Sequence, residues 1–211
     1  ADVEKDTGNI NADLIEDKIT SRTKVLVPVD FTGRPADLEV INALASRYGL
    51  PVIEDACQAL GSNFKNKKIG SISDLSVLSF HPVKSITTGE GGAILTNNQK
   101  YYERMKMFIT HGISKSDFLN DSPGDWYYEM QELGQNYRLT DFQCALGISQ
   151  LRKLDNFISK RGELAQIYHE ALSGMENLSL PLPDTKDAQS SWHLYVVNLS
   201  GDKKDKRADV F

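Results

Sequence analysis

The chain has 211 residues, with 24 Lys and Arg against 29 Asp and Glu, and its net charge of −5 disfavours a general nucleic-acid binder. It is 40% hydrophobic and 25% charged, enough for one large domain and part of a second, and no apolar run approaches the roughly 20 residues that span a bilayer. Its two cysteines, Cys57 and Cys144, make no C-x-x-C and no metal-ligand spacing, so they read as free thiols of a soluble, cytoplasmic protein with no metal site.

In chain order, Asn11 is placed to cap a short helix reaching about Ile19. Residues 24–29 (KVLVPV) predict a strand that ends near Asp30 and Phe31. Residues 35–48 carry Leu38, Ile41, Ala45 and Tyr48 at helical spacing. Residues 51–55 then predict a buried parallel strand, completing a β-α-β unit with the usual right-handed crossover. Two more strands are expected at 75–80 and 92–96, with the Thr- and Gly-rich stretch 87–92 as a flexible loop between them. Asn98 starts a helix with Met105 and Phe108 turned inward. Residues 111–137 read as a long loop containing Gly112, Pro123, Gly124, Trp126, Tyr127 and Tyr128. Thr140 and Gln143 have capping-box spacing, and a helical region continues to about Leu172. The charged run 202–207 reads as a solvated turn.

Two of these places carry chemistry together. Asp55 ends one predicted strand and Lys84 lies in the loop after the next. In α/β sheets, ligands collect at the carboxyl ends of strands. A Lys amine can form a Schiff base with the aldehyde of pyridoxal phosphate (PLP), and an Asp can keep the pyridine nitrogen protonated so that the ring withdraws electrons. Cys57, two positions beyond Asp55, faces the same side if the extended geometry continues, and there it would pack on the ring. Gln58 could bond the phenolic oxygen. Ser79, at the lysine-side strand end, could donate to the phosphate, and reads equally well as a strand serine bonded to backbone. Alone, Asp55 is an ordinary strand-end residue and Lys84 an ordinary surface lysine; their order and setting carry the reading.

Several blocks then match a known family in order. They are Val52-Ile53-Glu54-Asp55-Ala56-Cys57-Gln58-Ala59-Leu60-Gly61, Lys67-Lys68-Ile69-Gly70-Ser71 through Asp74, Ser79 through Gly92, Gly134-Gln135-Asn136-Tyr137-Arg138-Leu139, and Ser191-Trp192-His193-Leu194-Tyr195-Val196. Together they resemble the DegT/DnrJ/EryC1/StrS sugar aminotransferases over nearly the whole chain. The lysine block His81-Pro82-Val83-Lys84, with Ile86-Thr87-Thr88 and Glu90-Gly91-Gly92, is similar to that of the transaminases of pseudaminic acid synthesis.

The resemblance implies an α/β fold of PLP-dependent fold type I, with a mostly parallel central sheet, helices on both faces, and the start of a smaller α+β domain. Residues 1–150 would be the central part of the large domain, and 151–211 the linking helix and the start of the small one. Because the chain begins and ends inside the family pattern, a central fragment of a longer protein is expected. The implied reaction moves an amino group from an amino acid, glutamate, to C4 of a UDP-linked 4-keto-6-deoxy-N-acetylhexosamine. Lys84 and Asp55 are the expected catalytic residues. The cofactor contacts are Lys84, Asp55, Cys57, Gln58 and Ser79, with Asn136 reaching the phosphate of a neighbouring subunit in a homodimer with shared active sites. Arg138 reads slightly better as a surface ion pair than as a ligand, and 191–196 as the first strand of the small domain, with His193 in a core or interface role. A deoxysugar dehydratase of the same family is the alternative, but it carries His in place of Lys84. A Rossmann-like binding module without PLP is weakened by the lack of G-x-G-x-x-G after the first strand.

Overall fold

The computed structural model describes residues 1–114, 124–201 and 208. Pro123 and the charged run 202–207 lie outside the described residues. Asn11 is a cap, its side chain accepting the Asp13 N–H. It opens two 3-10 turns, Ala12–Leu14 and Glu16–Lys18, rather than one α-helix. Each is closed by an i→i+3 bond, and Ile15 between them is buried in the core. Residues 24–29 run parallel to the next strand, but meet it in two isolated bridges, Leu26 to Val52 and Val29 to Asp55. Pro28 has no N–H for a continuous ladder, yet its carbonyl accepts the Asp55 N–H at 2.8 Å.

The first helix, α1 (Leu38–Tyr48), begins at Asp37, whose side chain accepts the Val40 N–H, and stops at Gly49 in the left-handed conformation. Its buried stripe is Leu38, Ile41, Leu44 and Ala45. These residues join Val52, Ala56, Ala59, Phe64, Ile69 and Leu78 in the core. Each fully buried Leu or Ile contributes roughly 1.5–3 kcal/mol, which fixes α1 to the underside of the sheet.

That sheet contains β1 (Ile53–Asp55), β4 (Leu75–Ser79) and β5 (Gly92–Leu95), in the order β1-β4-β5. A small hairpin, β2 (Asn63–Phe64) with β3 (Lys67–Lys68), lies between β1 and β4 in sequence. β1 pairs parallel with β4, Asp55 opposite Val77, and β4 pairs antiparallel with β5. With the bridges from 24–29, the sheet is parallel except at β5. Side chains alternate across it. Val52, Glu54, Ser76 and Leu78 are buried on the α1 side, while Asp55, Val77 and Ser79 lie on the other face.

Helix α2 (Gln99–Phe108) is capped by Asn98 as expected. Phe108, expected inward, is instead exposed and meets Tyr137 edge-on at 6.4 Å, because no further layer among the described residues covers that side of α2. The 111–137 segment is not all loop: β6 (Ile113–Ser114) pairs antiparallel with β7 (Glu129–Met130). The Thr140–Gln143 capping box forms in full. The long helical region is two helices, α3 (Asp141–Leu151) and α4 (Leu154–Leu172), because the chain tightens at Arg152 and Lys153, where Lys153 N–H bonds back to Gln150. Toward the end, β8 (Leu178–Ser179) pairs with β10 (Asn198–Leu199), and β9 (Ala188–Gln189) adds to β2. The strand expected over 191–196 is absent: Trp192 takes φ 49°, which breaks an extended run at its second residue.

Candidate active site

β1 ends because Asp55 folds the chain on itself. Its Oδ1 accepts the Cys57 N–H at 3.1 Å, and Ala59 N–H bonds Ala56 carbonyl. The strand does not continue, but the turn still carries Cys57 to the side of Asp55: its thiol lies 3.7 Å from the Val77 carbonyl and within hydrogen-bonding reach of the Asp55 carboxyl. Burial, then the neighbouring Asp55, pushes this thiol up to about 11, and only the Lys84 charge pulls it down. Cys57 is a neutral packing group, and its shift reports that Lys84 stands close by.

Lys84 is half-buried in a turn closed by its own N–H to the His81 carbonyl at 3.0 Å. The loop around it, expected to be flexible, is tied at both ends. Thr87 Oγ1 and Thr88 N–H both donate to Phe80 carbonyl at 3.0 Å, and Phe80 N–H bonds Gly91 carbonyl at 2.8 Å. Ser85, Ile86 and Thr88 are buried. Gly91 lies at φ 150°, where a β-carbon would come within 2.5 Å of Thr88 Oγ1 and 2.7 Å of Leu139. Gln143 completes the tie from α3: its Oε1 caps Thr140 N–H, and its Nε2 donates to Glu90 carbonyl at 2.9 Å. The Thr-Thr-Gly-Glu-Gly-Gly sequence thus builds a rigid lysine loop.

Gln58 is also held in place. Its Oε1 accepts Thr32 N–H at 2.8 Å, which leaves its amide N–H groups as donors. Ser79 Oγ has a long contact of 3.4 Å from His81 N–H, and its hydroxyl proton remains to be given. Asp55 and Ser79 share a face on adjacent strands, two residues out of register, so they stand roughly 8 Å apart from ideal strand spacings. An acceptor suited to a ring nitrogen and a donor suited to a phosphate therefore sit at opposite ends of one small platform.

His193, expected within a strand, instead follows the left-handed Trp192. It is half-buried, its Nδ1 is buried without a partner, and its backbone is fixed by Arg161 Nη1 donating to the carbonyls of Trp192 and His193. Burial first, then the charges of Lys84 and Arg161, push it down to about 4. A neutral imidazole thus faces Lys84. The available signal is the Ser190–Ser191 pair before it: both are buried, and Ser191 Oγ bonds the Gln58 carbonyl at 2.8 Å, pinning this segment to the Asp55 turn.

Asn136 does not join this group within the chain. It is exposed, bridges to Thr110 through its backbone, and its Oδ1 accepts Arg138 Nε–H at 2.9 Å. Among the described residues, Arg138 is engaged by an amide and forms no surface ion pair. Gly134 packs against Gly112, where a β-carbon on Gly134 would meet Gly112 N at 2.1 Å, which is why this block opens with Gly. Around it, large apolar groups are uncovered: Trp126 is 73% exposed, Leu133 81% and Phe142 90%.

The whole chain, residues 1–211, matches the DegT/DnrJ/EryC1/StrS aminotransferase family model. It is 39% identical over 211 residues to the UDP-4-amino-4,6-dideoxy-N-acetyl-beta-L-altrosamine transaminase of Campylobacter jejuni, covering 98% of this chain and 54% of that protein. Among solved structures it resembles Helicobacter pylori PseC, an aminotransferase of pseudoaminic acid biosynthesis, with TM-score 0.87 and 36% identity over 96% of this chain and 52% of that one. It also resembles Streptococcus pneumoniae Spr1654, solved in PLP and PMP forms, with TM-scores of 0.84 and 0.85 and 26% identity over 95% of this chain and 54–55% of that one. The chain spans about half the length of the curated relatives it matches.

Proposed function

The chain belongs to the DegT/DnrJ/EryC1/StrS aminotransferase family and has its fold-type-I architecture, and from that premise we propose that it is part of a PLP-dependent aminotransferase. The reaction we assign is transfer of an amino group from glutamate to C4 of a UDP-linked 4-keto-6-deoxy-N-acetylhexosamine. The observation that carries this reading is the convergence of Lys84, Asp55, Cys57 and a neutral His193 on one rigid platform. PLP, when bound, supplies the electron sink. Lys84 Nζ would hold the cofactor and would carry the proton taken from the amino-acid α-carbon. Asp55 would accept from the ring nitrogen, Gln58 Nε2 would donate to the phenolic oxygen, Ser79 Oγ would donate to the phosphate, and Cys57 would pack beside the ring. His193, kept neutral, can accept a hydrogen bond from the incoming substrate.

The same reading makes the protein a homodimer whose sites are shared, with Asn136 reaching the phosphate of the neighbouring subunit. The uncovered apolar groups of 126–151 support a protein partner on this side. The division near residue 150 into large-domain and small-domain parts belongs to the same proposal, as does a reducing, cytoplasmic setting for the free thiols Cys57 and Cys144. No helix among the described residues is long and apolar enough to cross a membrane.

The test uses the full-length protein with PLP. Borohydride should fix the cofactor to the peptide containing Lys84, read by mass spectrometry. A panel of UDP- and dTDP-linked keto-sugars with glutamate should then give a 4-amino product from the UDP compound. Labelling of another lysine, or no amination of any keto-sugar, would sink the proposal.

A further inference from the structure

Beneath Asp55 lie two carboxyl groups that the proposed reaction does not use. Asp30 and Glu54 are both fully buried. Asp30 Oδ1 accepts Ala36 N–H at 2.9 Å, and Glu54 Oε2 accepts the Ser76 hydroxyl. The other two oxygens, Asp30 Oδ2 and Glu54 Oε1, are buried without a donor. The two side chains are nonetheless within hydrogen-bonding reach of each other. Among the described residues, no Lys, Arg or His forms an ion pair with either. Two neighbouring anions in a dry interior are costly, and each oxygen left without a donor adds to that cost. A single proton between them removes one charge and satisfies both orphaned oxygens.

We propose that Asp30 and Glu54 share one proton and act as a positioning pair for Asp55 and Gln58, an inference that rests on reading those two residues as cofactor contacts. The connections are short. Asp30 N–H donates to the Asp55 carbonyl at 3.1 Å, and Glu54 is the residue before Asp55 in β1. Asp30 Oδ1 holds Ala36, so it closes the 30–36 turn from which Thr32 N–H reaches Gln58 Oε1. The proton also lowers the charge of the Asp30, Glu54 and Asp55 cluster from three to two, leaving less repulsion behind the carboxylate that meets the ring.

Burial, followed by the charge of Glu54, pushes Asp30 well above the usual carboxylate range, with Asp55 adding to it and Ala36 N–H opposing. The charged groups acting on Asp30 are thus both on β1. The raised value sets the sign. The stabilisation is complete below the ordinary Asp range, where both folded and unfolded chains are protonated. It is lost as pH rises toward the folded value, because the unfolded chain ionises first.

Infrared spectra of the full-length protein at neutral pH test the proton directly. A protonated-carboxyl stretch should be present, should move when aspartate carboxyls are labelled with heavy carbon, and should vanish in Asp30→Asn. That amide keeps an acceptor for Ala36 and a donor for Glu54. It should therefore fold, lose the decline of thermal midpoint toward alkaline pH, and retain PLP affinity. Asp30→Ser, too short to span both partners, should weaken PLP binding about tenfold, as for the loss of one such bond. A wild-type spectrum without the aspartate-labelled band overturns the shared proton. An unchanged PLP affinity in Asp30→Ser overturns the positioning role. If Asp30→Ser does not fold, Asp30→Asn decides the role by itself, since a loss of PLP affinity there overturns it. If the wild type binds no PLP, the aminotransferase reading fails while the infrared result still stands.

Discussion

α1 and α3 are matched in length, at 11 residues each, and both are capped by their own side chains, yet they end in opposite situations. On α1, Leu38 and Ile41 are completely buried; on α3, Phe142 is 90% exposed and Ile148 56%. A cap fixes where a helix starts, but only a partner surface decides whether its apolar side chains leave water. In α1 that surface is the underside of the sheet carrying Asp55. For α3, the described residues meet one side at the lysine loop, through Gln143 and Gly147, and leave Phe142 and Ile148 uncovered. Among the described residues, one part of the molecule thus has its apolar groups covered, and the other leaves them open.

The sharpest way to break this comparison is at the platform. In the full-length protein, Lys84→Ala should abolish turnover and borohydride-fixed PLP while leaving the thermal midpoint essentially unchanged, since Lys84 is half-buried and outside the core. Persistent labelling at the active site would refute its role. Asp55→Asn comes next. It should lose a charge-assisted bond worth about 1.5–3 kcal/mol in PLP affinity, and lose more than that in turnover, because an amide cannot stabilise a protonated ring nitrogen. Near-normal turnover, measured against PLP affinity in the same preparation, would count against it.

Paired truncations compare the two helices themselves. Ile41→Ala should cost about 2–5 kcal/mol of stability by denaturant titration. Phe142→Ala should leave denaturant stability of the isolated subunit nearly unchanged, and should instead weaken subunit association in sedimentation. Equal stability losses at both positions would mean that α3 is covered within its own subunit. The smallest effect should come from mixing Lys84→Ala with Asn136→Ala subunits at limiting PLP. One working site per mixed dimer should restore part of the activity. If subunit exchange is verified and activity does not rise above that of either parent, Asn136 is a local loop residue, bound to Arg138.

Much of the platform is legible in the sequence because its signals are local. Pro51 through Asp55, the helical spacing of Leu38, Ile41 and Ala45 in α1, and the Thr140–Gln143 box each announce themselves within a few residues. The lysine loop is visible but reads as flexible, because the bonds that stiffen it run to Phe80, Glu90 and Gln143, which sequence spacing does not reveal. His193 escapes for the same reason: its place beside Lys84 is set by Trp192 turning left-handed and by Arg161 clamping two carbonyls from another element. Phe108 is expected inward from its spacing alone, and spacing cannot say whether a partner layer exists. Cys57 reaches the side of Asp55 as expected, but through the turn that Asp55 itself closes rather than through a continued strand.

One amide group spans the divide. Gln143 uses its oxygen to begin α3 and its nitrogen to hold Glu90, so the uncovered helix and the lysine loop are hinged on the same side chain. A glutamate there would keep the oxygen that starts the helix and lose the hydrogen that reaches the loop. The helix would still form, but it would be unlatched. Whatever presses on the outer surface of α3 therefore has a direct mechanical linkage to the loop that carries Lys84.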